Sequence, residues 1–497
     1  MAAAMNGGIG MTLEALLQGV DVADFIGQRC VTVSGLTSDH RLVKPGFAFV
    51  CYRGVKVDSH TFIHDAVKNG AVAVIGEQPV SALGQPSATY IQVRNGREAL
   101  SLLAANWHGR PADRLNLIGV TGTNGKTSTT YLGSAILNAT GLKCAILGTI
   151  GHQVGEMAIP AVTTTPDALA LHALFRNIAD AGINHVLMET SSQGLAQHRL
   201  AGLTFETGVF TNLTQDHLDY HQTMEAYLRA KIMLFEQLAS PNGLAILNAD
   251  DPATQTIRQH TRTACLTYGI RNPADLTARD IETTLRGMAF TARAPNGEFQ
   301  VKLRLPGDYN VYNALAAIGI GLHHGCSLEA IQAGLESTIV PGRFQLIDRG
   351  QDFAVVVDYA HTPDGLDNLL KAAKKMTQAR LISVFGCGGD RDRGKRPKMG
   401  HISATIADHT IITSDNPRTE DPSRIIADIV EGLPADASYD VIPNRRDAIK
   451  HAIGLATSGD VVVIAGKGHE PYQEVNGVRH HFDDREVASE VLCQNGE

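Results

Sequence analysis

Short apolar runs alternate along the whole chain with longer segments in which apolar residues recur every three or four positions. The runs read as buried strands and the longer segments as helices packed against them, the pattern of an α/β protein with a mostly parallel sheet. Strands are expected at 30–33, 47–51, 71–75 and 90–93, followed by a helix over 97–107 and a linker at Gly109-Arg110-Pro111. Beyond the linker, apolar strands are expected at 115–120, 183–188 and 208–213, and a helix at 224–238. From about 241 to 305 the pattern shortens to alternating strands, and 307–317 leads from a loop into a helix. After the break at Pro341-Gly342-Arg343, four more apolar strands each run into a polar, glycine-rich or charged loop. The pattern therefore divides into three segments, 1–110, 111–340 and 341–497.

Length agrees, since 497 residues exceed what one core supports. The 49 glycines and low aromatic content suit many tight strand–helix turns. A formal charge of −8 argues against a general nucleic-acid binder, so any anionic ligand must be held by local basic clusters. The seven cysteines are scattered and never spaced C-x-x-C, which reads as reduced thiols of a cytoplasmic protein without a zinc site. The N-terminal MAAAMNGGIG lacks the basic and apolar regions of a secretory signal, and no apolar run is long enough for a transmembrane helix.

Candidate chemistry concentrates where strands end. LNLIGVTGTNGKTSTT, from Leu115 to Thr130, reads as strand, glycine-rich loop, then helix. Gly122 and Gly125 would let backbone N–H groups approach phosphate oxygens, Lys126 would reach the terminal phosphates, and the Thr127 hydroxyl would ligate Mg²⁺. Val120 stands where the strict phosphate-loop pattern has its first glycine. Glu189, at the exit of an apolar strand, is placed for a metal or water partner. TQDHLDYH brings Asp216, His217, Asp219 and His221 together, a weak metal signal by itself. In the next helix Met224, Leu228, Phe235 and Leu238 form an apolar stripe on which Lys231 falls. A lysine among apolar neighbours loses solvation and becomes a reactive amine. The loops after the last four strands add His361, Arg391, Arg393, Lys395, Arg418 and Lys467, a cationic set suited to a carboxylate-rich ligand at one sheet edge.

GVTGTNGKTS, ETSSQGLAQHR, TNLTQDHLDYH, the K-x-x-L-F of residues 231–235, YNVYNALAA, PGRFQ, DYAHTPDGL, DNPR and AGKGHE occur in this order along nearly the whole chain. In them the sequence resembles the Mur ligase family. The resemblance implies a small α/β UDP-binding domain (1–110), a P-loop ATPase-like ATP-binding domain (111–340) and a Rossmann-like amino-acid-binding domain (341–497). It also implies ATP-dependent amide synthesis in cytoplasmic peptidoglycan precursor assembly, by a monomer without nucleic-acid or membrane partners. The substrates would be ATP, UDP-N-acetylmuramoyl-L-alanyl-D-glutamate and meso-diaminopimelate, because family members that add lysine differ at DNPR. The reaction would pass through an acyl phosphate and a tetrahedral intermediate.

Carried onto this chain, the resemblance places Gly122, Thr123, Asn124, Gly125, Lys126, Thr127 and Ser128 on the ATP phosphates. It places Asn310 and Asn313 at adenine, and Arg343 and Asp358 beside the nucleotide. Thr127 and Glu189 would ligate one Mg²⁺, with His217 and Lys231 serving a second; in the family that lysine is carbamylated, an N6-carboxylysine. Lys126, Lys231, His217 and Glu189 form the implied catalytic set. Thr164, Thr165, Ser191, Gln197 and Arg199 would hold the nucleotide-sugar peptide. Arg391, Asp415, Asn416, Arg418, Gly466 and Glu470 would hold diaminopimelate, with Arg418 forking its distal carboxylate and Glu470 and Asp415 meeting its ammonium. His40, in Asp39-His40-Arg41, replaces the serine usual near uridine.

Overall fold

The computed structural model describes residues 10–54, 57–82, 87–239 and 241–495; residues 1–9 of the stretch read above as lacking a secretory signal lie outside them. The chain forms two compact units, one of Met1–Gly119, Lys143–Glu206 and Glu236–Ala239, the other of Val120–Leu142, Thr207–Phe235 and Ser240–Glu497.

In the first unit a five-stranded sheet has the order Val22–Ile26, Thr89–Val93, Ala73–Gly76, Phe47–Val50, Gly35–Thr37. The first pair is antiparallel and the others are parallel. Side chains alternate across it. Ala48, Val50, Ala73, Ile75, Ile91 and Val93 pack on Leu100 and Leu103 of the helix Gly96–Trp107, while Phe49, Val74 and Tyr90 pack with Ala66 of the helix Ile63–Lys68. Asn95 starts the longer helix by accepting from the backbone N–H groups of Arg97 and Glu98. The same unit holds His185–Glu189, parallel to Cys144–Leu147. Glu189 is the last residue of that strand, and it is buried.

In the second unit, Thr207–Phe210, Leu244–Asn248, Ala264–Gly269 and Leu276–Thr284 are parallel neighbours. The sheet then turns antiparallel through Gly287–Ala294 and Gly297–Leu303. The expected β-rich stretch also contains the helix Ala253–His260, whose mostly polar residues bury only Ala253, Thr254 and Ile257 and so left no apolar stripe to read. The helix Lys126–Ala139 packs against Asp308–His323 and Leu328–Ser337. At Gly334 a Cβ would stand 2.6 Å from the Ile136 Cα, an approach that only glycine permits.

The second unit also carries a six-stranded sheet, in the order Gln345–Ile347, Ala354–Asp358, Val461–Ala465, Leu381–Phe385, His409–Ile412, Tyr439–Val441. Only its first pair is antiparallel. Val356, Phe385, Ile412 and Val463 face one core; Val355, Val357, Val384, Ile411 and Val462 face another. Burial on both faces explains the near-continuous apolar runs. Because the four central strands are parallel, the loops singled out from sequence leave the same edge of the sheet. All seven cysteines are free, and no helix among the described residues is long and apolar enough to cross a membrane.

Candidate active site

The glycine-rich loop closes on itself. Gly122 has φ +152° and a Cβ there would meet the Thr211 hydroxyl; Gly125 has φ +86° and a Cβ would stand 2.3 Å from Asn313 Oδ1. Asn212 Oδ1 accepts the Asn124 N–H at 2.9 Å, and the Thr123 hydroxyl donates to the Thr214 carbonyl at 3.1 Å. Lys126 Nζ folds back to donate to the carbonyls of Gly122 (2.9 Å) and Thr123 (2.8 Å), so its charge sits over the loop mouth. Helix Lys126–Ala139 starts there, with Thr127 and Ser128 in its first turn. Asn124, Gly125, Ser128, Asn310, Asn313, Arg343 and Asp358 line one cavity of about 780 Å³. Asn313 donates to Asn310 at 2.9 Å, and Asn310 to the Pro306 carbonyl at 2.8 Å, which orients both amides. Arg343 Nη2 reaches the Thr127 hydroxyl at 3.0 Å, and Asn124 Nδ2 donates to Asp364 at 2.7 Å. Asp358 accepts the backbone N–H groups of Phe344 and Ala360, both at 2.7 Å. It therefore shapes the turn that presents Arg343.

Lys231 lies in the helix Met224–Glu236 and is 1% exposed. The buried residues of the helix are Tyr227, Ala230, Lys231, Ile232, Leu234 and Phe235, whereas Met224 and Leu228 of the expected stripe are half-buried. Its ammonium stands 4.2 Å from the centroid of the Tyr227 ring. Burial drives its pKa well below the usual lysine value and the nearby Lys126 charge adds to this, against the pull of Asp216 and Asp251. His217, at φ +55°, has Nε2 3.5 Å from Asp216 Oδ2. Burial lowers its pKa too, favouring the neutral ring; Asp216 opposes this and Lys126 and Lys231 reinforce it. His221 is buried against Tyr227. Among the described residues no group of three His, Cys, Asp or Glu side chains is arranged to hold a metal ion.

In the first unit, most of the residues expected at the nucleotide-sugar peptide form one network. Arg199 donates to the Thr165 carbonyl at 2.6 Å and to Gln197 Oε1 at 2.8 Å, and the Thr165 and Ser191 hydroxyls are 2.9 Å apart. Thr164 is 3.1 Å from the Thr149 hydroxyl, and Thr149 donates to both oxygens of Glu189, from N at 2.9 Å and Oγ1 at 3.0 Å. Thr149 was missed from sequence, where it is one more loop hydroxyl after a glycine. His40 stacks on Phe62 with ring centroids 4.0 Å apart and lies 3.9 Å from Asp39.

At the edge of the six-stranded sheet, DNPR and AGKGHE interlock. A Cβ on Gly466 (φ +119°) would stand 2.6 Å from Asp415 Oδ2. Asn416 Nδ2 donates to Glu470 Oε2 at 2.8 Å. Arg418 holds a left-handed φ of +52°, which its backbone keeps by pairing with the hairpin strand Tyr472–Val475: its N–H donates to the Glu474 carbonyl at 3.0 Å and its carbonyl accepts from Asn476 at 2.7 Å. Its guanidinium donates to the Gly389 carbonyl at 2.8 Å and leaves further N–H groups for a carboxylate. Arg391 is exposed across Gly388 from Arg418. Buried Asp415 keeps a lowered pKa, because Lys467 and Arg445 outweigh desolvation. Glu470 is raised by desolvation and by Asp415, with Lys467 opposing.

A glycine-rich loop under Lys126, the buried Lys231 and a cluster of charged loops at one sheet edge are thus built from the motifs that carry the resemblance. Comparisons with known proteins agree along the chain. Family models match for the Mur ligase family catalytic domain at residues 32–108, the Mur ligase middle domain at 120–321 and the Mur ligase glutamate ligase domain at 342–468. The UDP-N-acetylmuramoyl-L-alanyl-D-glutamate–2,6-diaminopimelate ligase of Syntrophomonas wolfei is 47% identical over 464 residues, 93% of this chain and 94% of its own. A solved structure of a ligase of that name superposes with a TM-score of 0.70 at 36% identity, covering 98% of this chain and 100% of that one. A folylpolyglutamate synthase of Mycobacterium tuberculosis, solved with ADP and AMPPCP, shares the fold at 18% identity, with a TM-score of 0.63 over 74% of this chain and 91% of its own. With all three domain models matched in order and nearly half the residues identical to a full-length relative, the chain belongs to the Mur ligase family.

Proposed function

We propose that this protein is an ATP-dependent ligase that joins meso-diaminopimelate to UDP-N-acetylmuramoyl-L-alanyl-D-glutamate in peptidoglycan precursor synthesis. It acts as a cytoplasmic monomer through domains spanning 1–110, 111–340 and 341–497. The observation that carries the choice of amino acid is the pairing at one sheet edge of Arg418, with free guanidinium N–H groups, and the carboxylates of buried Asp415 and half-buried Glu470. Such a site matches a ligand bearing both a carboxylate and an ammonium on its distal carbon, which lysine does not present together.

The γ-phosphoryl group of ATP passes to the side-chain carboxylate of the D-glutamyl residue, giving ADP and an acyl phosphate. The amine of diaminopimelate attacks the acyl carbon, loses a proton, and the tetrahedral intermediate expels inorganic phosphate. The protein positions the reactants and balances charge. Gly122 to Ser128 cradle the phosphates, Lys126 and Arg343 stabilise their charge, and Asn310 and Asn313 present amides to adenine. Asp358 supports the turn that carries Arg343. Thr164, Thr165, Ser191, Gln197 and Arg199, with His40 at the uridine end, hold the nucleotide-sugar peptide.

The donor chemistry fits Mg²⁺, a hard cation that takes oxygen ligands. Thr127 and Glu189 would ligate one Mg²⁺, and His217, through a ring nitrogen, and a carbamylated Lys231 would serve a second; the cation supplies neutralisation of phosphate charge when bound. The fit rests on Lys231: its pKa is driven down by burial, so the neutral amine that reacts with CO₂ is accessible.

The test is phosphate release from purified protein with ATP, Mg²⁺ and the nucleotide dipeptide, adding meso-diaminopimelate or L-lysine in parallel and weighing the products. Release with diaminopimelate alone is expected. Release with both amino acids removes the specificity assigned to Arg418, and release with neither replaces the ligase by a nucleotide switch. In Arg418→Ala the preference over lysine should fall by the worth of a charged hydrogen-bond pair, ~2–4 kcal/mol.

A further inference from the structure

Lys467, at the first turn after the strand Val461–Ala465, is fully buried, with 0% exposure. Full burial of a lysine is costly unless its charge is matched. Its Nζ donates to Asn416 Oδ1 at 3.0 Å and to Glu470 Oε2 at 3.3 Å, and stands 5.4 Å from the Tyr472 ring centroid. Asn416 Oδ1 also accepts the Glu474 N–H at 2.9 Å, and Asn416 Nδ2 donates to Glu470 Oε2 at 2.8 Å. Gln473 adds a bond at 2.6 Å from its amide to the Asp415 carbonyl. Asn416 therefore uses its oxygen and one amide hydrogen inside the protein, and its place in the site is as a link between Lys467, Glu470 and the hairpin Tyr472–His481.

The charges around this link are unequal. Asp415, Glu470 and Asp484 are carboxylates, and Lys467 and Arg445 are the cations that meet them, Arg445 being paired with Asp484 at 2.7 Å. One negative charge remains when all are ionised. That suits the ammonium of an incoming amino acid, provided Glu470 is ionised and held in place. Its neighbour Asp415 favours the protonated form of Glu470, the Tyr359 hydroxyl donates to Glu470 Oε1 at 3.4 Å, and among the described residues Lys467 is the cation donating directly to its carboxylate.

We propose that Lys467 is a positioning residue for the amino-acid substrate: its ammonium fixes Asn416 and Glu470 and keeps the Glu470 carboxylate available to the substrate's ammonium. The inference rests on the ligase reading above and deepens it, for Lys467 was seen from sequence only as one charge among six.

The test measures steady-state kinetics of wild type, Lys467→Met and Lys467→Gln from pH 6 to 9 with ATP and nucleotide dipeptide saturating and meso-diaminopimelate varied. Wild-type turnover with diaminopimelate tests the reading of function, independently of the variants. Relative to wild type, both variants should show KM for diaminopimelate raised tenfold or more, with KM for ATP within about twofold. The acidic limb of kcat/KM for diaminopimelate should move to higher pH, as Glu470 becomes harder to ionise. In the double variant with Glu470→Gln, the effect of Lys467→Met should largely disappear. An unchanged KM and pH limb would overturn the proposal. So would parallel loss of ADP binding and melting temperature in both variants, which would make Lys467 a residue of the fold alone.

Discussion

Lys231 shows how far one residue can be read before its surroundings are known. Its place on an apolar helical face was visible in spacing, and burial, the Tyr227 ring and the nearby Lys126 charge turn that position into a depressed pKa. Lys231→Ala should lose nearly all ligase activity, and short carboxylic acids added to the assay should restore part of it by standing in for the carbamate. An alanine variant with ordinary turnover would remove the modification from the reaction. Thr149, Asn416 and Lys467 could not be read in the same way. Each acts through hydrogen bonds between loops, and a loop hydroxyl, amide or ammonium has no periodicity to announce its partner. Asp358 illustrates the converse: its motif was legible, but only the structure shows both oxygens accepting backbone N–H groups.

Strands and long helices were legible because burial on two faces forces continuous apolar runs and burial on one forces a stripe. The four loops of the last segment could be placed at one edge from parallel strand order alone, whereas the polar helix Ala253–His260 carried no such signal. The helix Ala168–Asp180 buries a histidine. His172 is 1% exposed in it, with neither ring nitrogen hydrogen-bonded, edge-on to Phe175. Burial lowers its pKa to about 3, with His108 and Arg110 adding to the effect. A histidine with a depressed folded pKa contributes fully above its unfolded value, near 6.5, and loses that contribution as pH falls toward about 3. At pH 5 the loss is on the order of 2 kcal/mol. His172→Leu should flatten the decline of the urea midpoint between pH 7.5 and pH 5 while leaving ligase kinetics at pH 8 unchanged. An identical decline in both proteins would mean that other groups govern acid stability.

At the scale of the molecule, the second unit brings together residues far apart in sequence: Arg343 with Thr127, and Asn124 with Asp364. Motif order implied that both segments serve one nucleotide, but side-chain partners separated by more than two hundred residues have no local signature. Arg343 sits just past the Pro-Gly break, its guanidinium 4.8 Å from the Tyr359 ring and its backbone turn held by Asp358. Two contacts on the side chain and a braced backbone turn beside it mean that it is presented to the glycine-rich loop with little freedom left to lose on binding, the condition under which a charged hydrogen bond gives most of its energy. Arg343→Ala should raise KM for ATP by about ten- to a hundredfold, the worth of a charged hydrogen bond of ~1.5–3 kcal/mol. Arg343→Lys should recover only part of this, because an ammonium keeps the charge but neither the fork nor the stacking on Tyr359. KM for diaminopimelate should stay within about twofold in both, since Arg418, Glu470 and Asn416 are held by a separate set of bonds. A rise in both constants together would show instead that the nucleotide and amino-acid loops are coupled through Tyr359, which touches Arg343 on one side and Glu470, at 3.4 Å, on the other.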